Sequence, residues 1–190
     1  MSKLRIALLL SLATGCLLGR PPEPPRYFRP EPVDRDAPPT LSSGPKATLR
    51  LQRVTEASHL GERIVWRVSD VEFGFYDSRR WTERPAHYVE EALSRELFEI
   101  RGLRRARAGR HASLEVELLS FDEVLEPEHS ARVELRVLLT DPEHLSLLER
   151  RYREEVSLED DDPLMLSRAM GRALARLVQR VADDVEVALP

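Results

Sequence analysis

Period-two alternation of apolar and charged side chains is the feature that most restricts how this chain can fold. In residues 131–139 every odd position is apolar, and Arg132, Glu134 and Arg136 stand between them. Residues 113–121 and 148–158 alternate in the same way, with a phase shift at Leu119 that predicts a β-bulge. Successive side chains of a strand point to opposite faces, so each strand has one polar face. This pattern is typical of an antiparallel sheet that is covered on one side only.

Residues 63–85 hold both tryptophans and predict two further strands that lead into a helix. The even positions of 64–68 and the odd positions of 71–75 are apolar, so the phase slips at Ser69-Asp70. A slip of this kind marks a turn or a bulge. We interpret it as the turn of a β-hairpin.

Two amphipathic helices complete the pattern. The first is predicted to begin near Pro85 with Thr82 as its cap, and to end at Gly102. The second follows Asp162, a good capping residue, and Pro163. With a first strand at 47–54, the order is βββ-α-βββ-α. The expected fold is therefore α+β, with two layers: a mainly antiparallel sheet covered on one face by two long helices.

The N-terminus has the pattern of an export signal. Lys3 and Arg5 precede the apolar run 6–13, which is too short to span a bilayer as a helix. Small residues then lead to Cys16, the only cysteine. This arrangement resembles the bacterial lipobox and predicts a signal peptide over residues 1–15 and lipidation of Cys16. The alternative is an ordinary cleaved signal beside a chance cysteine.

Residues 16–46 are predicted to tether a folded domain, residues 47–190, to the lipid. Nine of the fourteen prolines lie in this stretch, and proline removes backbone donors from sheets and helices. At ~3.1 Å per residue, thirty extended residues would reach about 90 Å. The alternative is that Tyr27-Phe28 docks back onto the domain and shortens that reach.

The sequence contains no pattern that predicts catalysis, a metal site or a cofactor. The net charge is -4 with acids and bases interspersed, which argues against a nucleic-acid partner. The five histidines are scattered without metal-site spacing, and the sequence lacks a phosphate-binding loop and a nucleophile elbow. Residues 159–162 are interpreted as a solvated turn and helix cap rather than a calcium loop. We therefore expect a protein that is not an enzyme.

Trp81 has two interpretations. In the first it is a core residue that packs the hairpin against the start of the helix. In the second, Tyr76, Arg79, Arg80 and Trp81 are exposed at one end of the domain and bind a partner, since aromatic residues and arginine are enriched at interfaces.

Residues 63–98 resemble the ABC-type transport auxiliary lipoprotein family, the lipoprotein component of mammalian-cell-entry (MCE) and paraquat-inducible-type systems for intermembrane lipid transport. The family pattern is a strand ending in an aromatic-Arg pair, a short turn, an aromatic strand, and Arg-Trp followed by proline and a helix. The matching positions here are Trp66-Arg67, Ser69-Asp70, residues 73–76, Arg80-Trp81 and Pro85. The proline-rich tether is longer than the short segment that usually precedes the domain in this family.

The resemblance implies a non-enzymatic periplasmic lipoprotein, anchored in the outer membrane by acyl groups such as palmitate. Leu17 follows Cys16. In enterobacterial lipoproteins Asp at that position favours retention in the inner membrane, so the resemblance to them implies the outer membrane here. Its partners would be an MCE-domain protein and, through it, an inner-membrane ABC permease and ATPase. Its cargo would be phospholipid or other hydrophobic molecules, and self-assembly into rings is compatible with the family.

Two other functions remain open from the sequence. One is a stand-alone structural or assembly lipoprotein of the envelope. The other is a lipid-binding carrier, which would have a sizeable cavity between its sheet and helices. A docking module would instead have a filled core and an exposed patch.

Overall fold

The computed structural model describes residues 23–32 and 47–190. These described residues form one mixed β-sheet and two helices, so the predicted α+β fold is confirmed. Helix α1 spans Pro85–Ser94 and continues as a π-helical segment over Arg95–Ile100, and α2 spans Pro163–Ala188. The strands are β1 Arg26–Phe28, β2 Thr48–Leu51, β3 Thr55–Glu56, β4 Arg63–Arg67, β5 Phe73–Trp81, β6 Arg104–Arg105, β7 Ala112–Val124, β8 Ser130–Thr140 and β9 Ser146–Ser157.

Strand β7 is the centre of the sheet. On one side it pairs antiparallel with β8, which pairs antiparallel with β9. On the other side β2, β3 and β4 pair with it in succession, all parallel. The register of β7 and β8 shifts between Leu118 and Ser120, which confirms the predicted bulge. The longest ladders are therefore antiparallel as predicted, whereas the short N-terminal strands add parallel pairings that the alternation did not predict.

Both helices pack on the same face of the sheet. Helix α2 crosses β8 and β9, and α1 contacts β7, β3 and α2. Val133, Leu135 and Val137 of β8 are fully buried, as are Met170 and Leu177 of α2. Burying each such side chain contributes roughly 1.5–3 kcal/mol, so this layer is the main source of stability. Among the residues that the structure describes, no helix is long and apolar enough to cross a membrane.

The two helices begin differently. The Asp162 side chain accepts a hydrogen bond from the Leu164 amide at 3.0 Å, which confirms the predicted cap of α2. Thr82 does not cap α1, and that prediction is wrong: its hydroxyl bonds the hydroxyl of Tyr88 at 2.8 Å. Glu56, from β3, accepts from the first-turn amide of Ala86 at 3.1 Å instead. A carboxylate there also complements the positive end of the helix dipole.

The opposite, polar face of β7, β8 and β9 carries pairs of opposite charge between neighbouring strands. Arg136 lies 2.7 Å from Glu117, and Arg132 lies 2.8 Å from Glu155. Such partly exposed pairs contribute little to stability, about 0–1 kcal/mol each. They keep this face polar and leave the apolar side chains of the three strands to the helical layer.

The predicted hairpin of residues 63–85 is present. Trp66 of β4 faces Gly74 of β5, and Arg67 faces Phe73, in an antiparallel pair. A Cβ at Gly74 would overlap the indole ring of Trp66, so this close approach requires glycine. The alternation predicted a strand position for Val71. It lies in the turn instead and is 92% exposed.

The segment of residues 23–32 docks onto the domain. β1 pairs parallel with the end of β5, which places Phe28 opposite Trp81. Beyond β1, the Glu31 amide donates to the carbonyl of Ser167 in α2 at 3.0 Å. Phe28 is buried while Tyr27 is 60% exposed. The structure therefore shows the alternative in which Tyr27-Phe28 docks onto the domain. The rest of the predicted tether and the signal peptide lie outside the described residues.

Candidate docking surface

The four residues of the predicted partner patch lie at the end of β5, but they do not share one environment. Trp81 is 1% exposed, and its ring centroid lies 5.3 Å from that of Phe121 and 6.5 Å from that of Tyr88. Trp81 is therefore a core residue, which confirms the first interpretation, and the alternative in which Trp81 is exposed is wrong. Tyr76, Arg79 and Arg80 are half-buried.

The N-terminal segment covers the edge of the sheet at this point. In the parallel pair of β1 and β5, Tyr27 lies beside Arg80. The Thr82 amide donates to the carbonyl of Phe28 at 2.8 Å. The Arg80 guanidinium donates to the carbonyls of Tyr76 and Arg79 at 2.8 and 2.9 Å, so it stabilises the local backbone.

Arg79 and Tyr76 belong to a cluster of polar groups around a buried carboxylate. The Arg79 guanidinium stacks over the Tyr76 ring at 4.3 Å and lies 3.8 Å from Glu123. Glu123 belongs to β7 and is 2% exposed. Burial of Tyr76, together with the negative charge of Glu123, raises the pKa of the tyrosine hydroxyl well above its usual value. Tyr76 therefore stays neutral throughout the physiological range.

His129 completes this cluster. Its Nε2 lies 2.8 Å from Glu123, and its Nδ1 lies 3.3 Å from Asp161. Both ring nitrogens thus face carboxylates, and neither faces a hydroxyl or thiol among the residues that the structure describes. His129 therefore links Glu123 of β7 to Asp161, which lies just before α2.

Exposed apolar side chains gather at the turn of the hairpin. Val71 and Phe73 are 92% and 40% exposed, and Leu125, which follows β7, is 36% exposed. The Leu125 amide donates to the carbonyl of Arg67 at 2.8 Å, which fixes the loop after β7 against the hairpin. We call Val71, Phe73 and Leu125 the hairpin tip. Sequence reasoning missed the tip because alternation predicted strand positions for Val71 and Phe73 and did not indicate that they are exposed.

Three side chains with metal-ligand atoms meet on the exposed side of α1. The ligand atoms of Glu83, His87 and Glu91 lie within 4.8 Å of one another. Their spacing of four residues aligns His87 and Glu91 on one face of α1, with Glu83 just before the helix, a pattern that a search for paired histidines does not detect. His87 Nδ1 lies 2.5 Å from Glu83, so an exposed ion pair accounts for the arrangement and we assign no metal to it.

A family model for ABC-type transport auxiliary lipoprotein components matches residues 32–182, more than three quarters of the chain. The chain belongs to that family. Membership makes it a lipoprotein that assists an ABC transport system. A comparison with curated proteins found no match.

Solved structures support the fold. A Xanthomonas campestris protein of the DUF330 family superposes with a TM-score of 0.73 at 15% identity, covering 86% of this chain and 96% of that one. A protein described as uncharacterized superposes with a TM-score of 0.67 at 15% identity, covering 86% of this chain and 99% of that one. The Chlamydia trachomatis hypothetical protein CT253 superposes with a TM-score of 0.55 at 13% identity, covering 74% of this chain and 96% of that one. At these identities the likeness shows the fold alone.

Proposed function

We propose that this protein is an outer-membrane-anchored periplasmic lipoprotein that docks an MCE-domain protein of an ABC transport system for phospholipid or other hydrophobic molecules. The match to the auxiliary lipoprotein family carries the proposal. The lipobox-like sequence ending at Cys16 supports the anchor independently.

Docking fits the interior of the domain better than carriage of a whole lipid. Ligand pockets for molecules of drug size have volumes of roughly 300–1,000 Å³. In the described residues, a mainly apolar cavity of about 190 Å³ lies against the two helices rather than between helices and sheet. A larger one of about 470 Å³, at β9 and α2, is lined almost entirely by charged side chains, which does not suit the acyl chains of a lipid. Phe121 and Leu135 of the sheet and Met170 of α2 are fully buried. The layer between sheet and helices is therefore filled.

We place the docking surface at the hairpin tip together with Tyr76 and Arg79. Interfaces combine apolar and aromatic anchors with arginine, and the tip supplies exposed apolar groups beside charged ones. The nearby charges include the pair of Asp70 and Arg132, whose side chains lie 3.3 Å apart. Apolar side chains exposed at one end of a hairpin give a partner a contact that requires no unfolding.

The proposal is tested by co-purification of the full chain with the MCE-domain protein whose gene is adjacent to its own. We expect a complex at moderate salt, carried by the apolar tip. Absence of a complex at every salt concentration, with both proteins folded, would contradict docking. An adjacent gene set without MCE and permease genes would favour a stand-alone envelope lipoprotein.

The position of the surface is tested by Val71→Asp. Because Val71 is almost fully exposed, the fold should tolerate the change, whereas a carboxylate at an apolar contact should weaken the complex about tenfold or more. Val187→Asp is the matched control, since Val187 is 87% exposed at the far end of α2. Dissociation constants from surface plasmon resonance distinguish the two. Equal weakening, or none, would place the docking surface elsewhere.

A further inference from the structure

A cavity of about 190 Å³ lies between α1, α2 and the docked N-terminal segment. Its apolar walls are formed by six side chains of the helical layer: Tyr88, Ala92, Ile100, Leu174, Ala175 and Val178. An apolar cavity of about 150 Å³ is large enough to bind benzene. This cavity therefore accommodates one short alkyl chain or ring, and not a whole phospholipid.

The N-terminal segment is a wall of this cavity rather than a neighbour of it. Residues 29–32 line it, and Glu31 is bonded to α2 through the carbonyl of Ser167. The π-helical segment Arg95–Ile100 supplies Arg95 and Glu96 to the lining in addition to Ile100. Single π-helical turns within α-helices occur frequently at functional sites.

Three carboxylates and two arginines line the cavity, and two of the carboxylates are paired with arginines outside the lining. Glu96 is paired with Arg101 at 3.0 Å, and the Glu31 carboxylate lies 3.6 Å from Arg168. The Glu91 carboxylate lies in the group with His87 and Glu83.

Two lining arginines, Arg29 and Arg95, are exposed, and neither has a carboxylate partner within the described ranges, 23–32 and 47–190. A guanidinium presents a planar fork of donors that matches a carboxylate or a phosphate. The cavity thus joins an apolar interior to two cationic groups at its rim.

We propose that this cavity binds the end of an alkyl chain attached to an anionic group, with the chain against the helices and the anion at Arg29 and Arg95. The shared chemistry belongs both to a free fatty carboxylate and to one acyl chain of an anionic phospholipid. Docking to a transporter component does not require such a ligand, so this inference extends beyond the proposed function.

Photolabelling of the full chain in membranes of expressing cells tests the site. One probe is a medium-chain carboxylic acid with a diazirine near the chain end, and the other is phosphatidylglycerol with the same group on one acyl chain. Peptide mass spectrometry should locate the label on residues 88–100 or 171–178. Label from the acid alone would identify a free fatty carboxylate as the ligand. Label from both probes would show that the cavity accepts the alkyl chain of a free acid and that of a phospholipid. Label elsewhere, or none, overturns the proposal.

Two variants separate binding from folding. Ala175→Trp fills the cavity and should lower the labelling about tenfold, because the alkyl chain can no longer enter.

Arg95→Gln changes only the exposed rim and should lower labelling by the acid about two- to fivefold. Arg107→Gln, in the exposed loop before β7, is its matched control and should leave labelling unchanged. Equal labelling of Arg95→Gln and Arg107→Gln, with full labelling of Ala175→Trp, contradicts the site. Failure of this test leaves docking of the transporter component unaffected.

Discussion

At the scale of single residues, the buried ion pair of Arg67 and Asp122 fixes the hairpin onto β7. Arg67 Nε donates to Asp122 Oδ2 at 2.8 Å, and the Ser120 hydroxyl donates to the same oxygen at 2.5 Å. Asp122 is fully buried, and the Arg67 guanidinium stacks over Phe73 at 5.3 Å. Arg67 also donates to the carbonyls of Ser69 and Asp70 in the turn. The pair therefore positions the turn that carries the hairpin tip.

Asp122→Ala should destabilise the domain severely. It leaves the arginine buried without its partner, which typically costs about 3–5 kcal/mol. Glu117→Ala removes a partly exposed pair with Arg136 and should cost about 1 kcal/mol or less. Urea denaturation followed by tryptophan fluorescence measures both. A loss of less than about 1 kcal/mol for Asp122→Ala would show that the pair is not important for stability.

At the scale of elements, the docking of the N-terminal segment depends on one glycine of α2. A Cβ at Gly171 would overlap the carbonyl oxygen of Glu31, so the segment can cross α2 only where no side chain stands. Glycine in a helix interior costs about 1 kcal/mol relative to alanine. Gly171 thus lowers the stability of the helix itself but allows β1 and residues 29–32 to pack against the domain.

Gly171→Ala should release the segment while leaving the rest of the domain folded. We expect the backbone amides of residues 26–32 to exchange hydrogen at least about tenfold faster, since the Glu31 contact with α2 is lost. Gly61→Ala is the control, because a Cβ at Gly61 meets no atom within 4 Å. Hydrogen exchange with mass spectrometry resolves the peptide. Unchanged protection in Gly171→Ala would mean that the segment is held by β1 alone.

At the scale of the whole molecule, docking of β1 shortens the distance between anchor and domain. Only residues 17–25 separate Cys16 from β1. An extended chain spans at most ~3.6 Å per residue, so the domain would stand within roughly 35 Å of the lipid instead of about 90 Å. If Cys16 is the anchor, the body of the protein stays close to its membrane, and a partner must span most of the remaining gap.

The anchor itself is tested by Cys16→Ser. Acyl chains contribute about 0.8 kcal/mol for each buried CH₂, and two or more give stable attachment. The variant should therefore lose metabolic palmitate labelling and leave the membrane fraction. Thr14→Ser keeps a small residue near the cysteine and should be labelled normally. Palmitate on the Cys16→Ser protein would contradict lipidation at this position.

The sequence by itself determined what depends on local periodicity and local capping. Alternation predicted β8, β9 and the hairpin, and a phase shift predicted the bulge beside Leu119. Asp162 was recognised as a cap because its partner, the Leu164 amide, is two residues away. The family could be recognised for the same reason, since its most specific residues are contiguous around the hairpin.

Only the tertiary structure decided the contacts between distant parts of the chain. Burial of Trp81, capping of α1 by Glu56 and the pairing of Arg67 with Asp122 each join residues from different elements. Docking of β1 depends equally on the open edge of β5 and on the missing side chain at Gly171. Periodicity reports which face a residue prefers, whereas the partner on that face is set by packing of the folded chain.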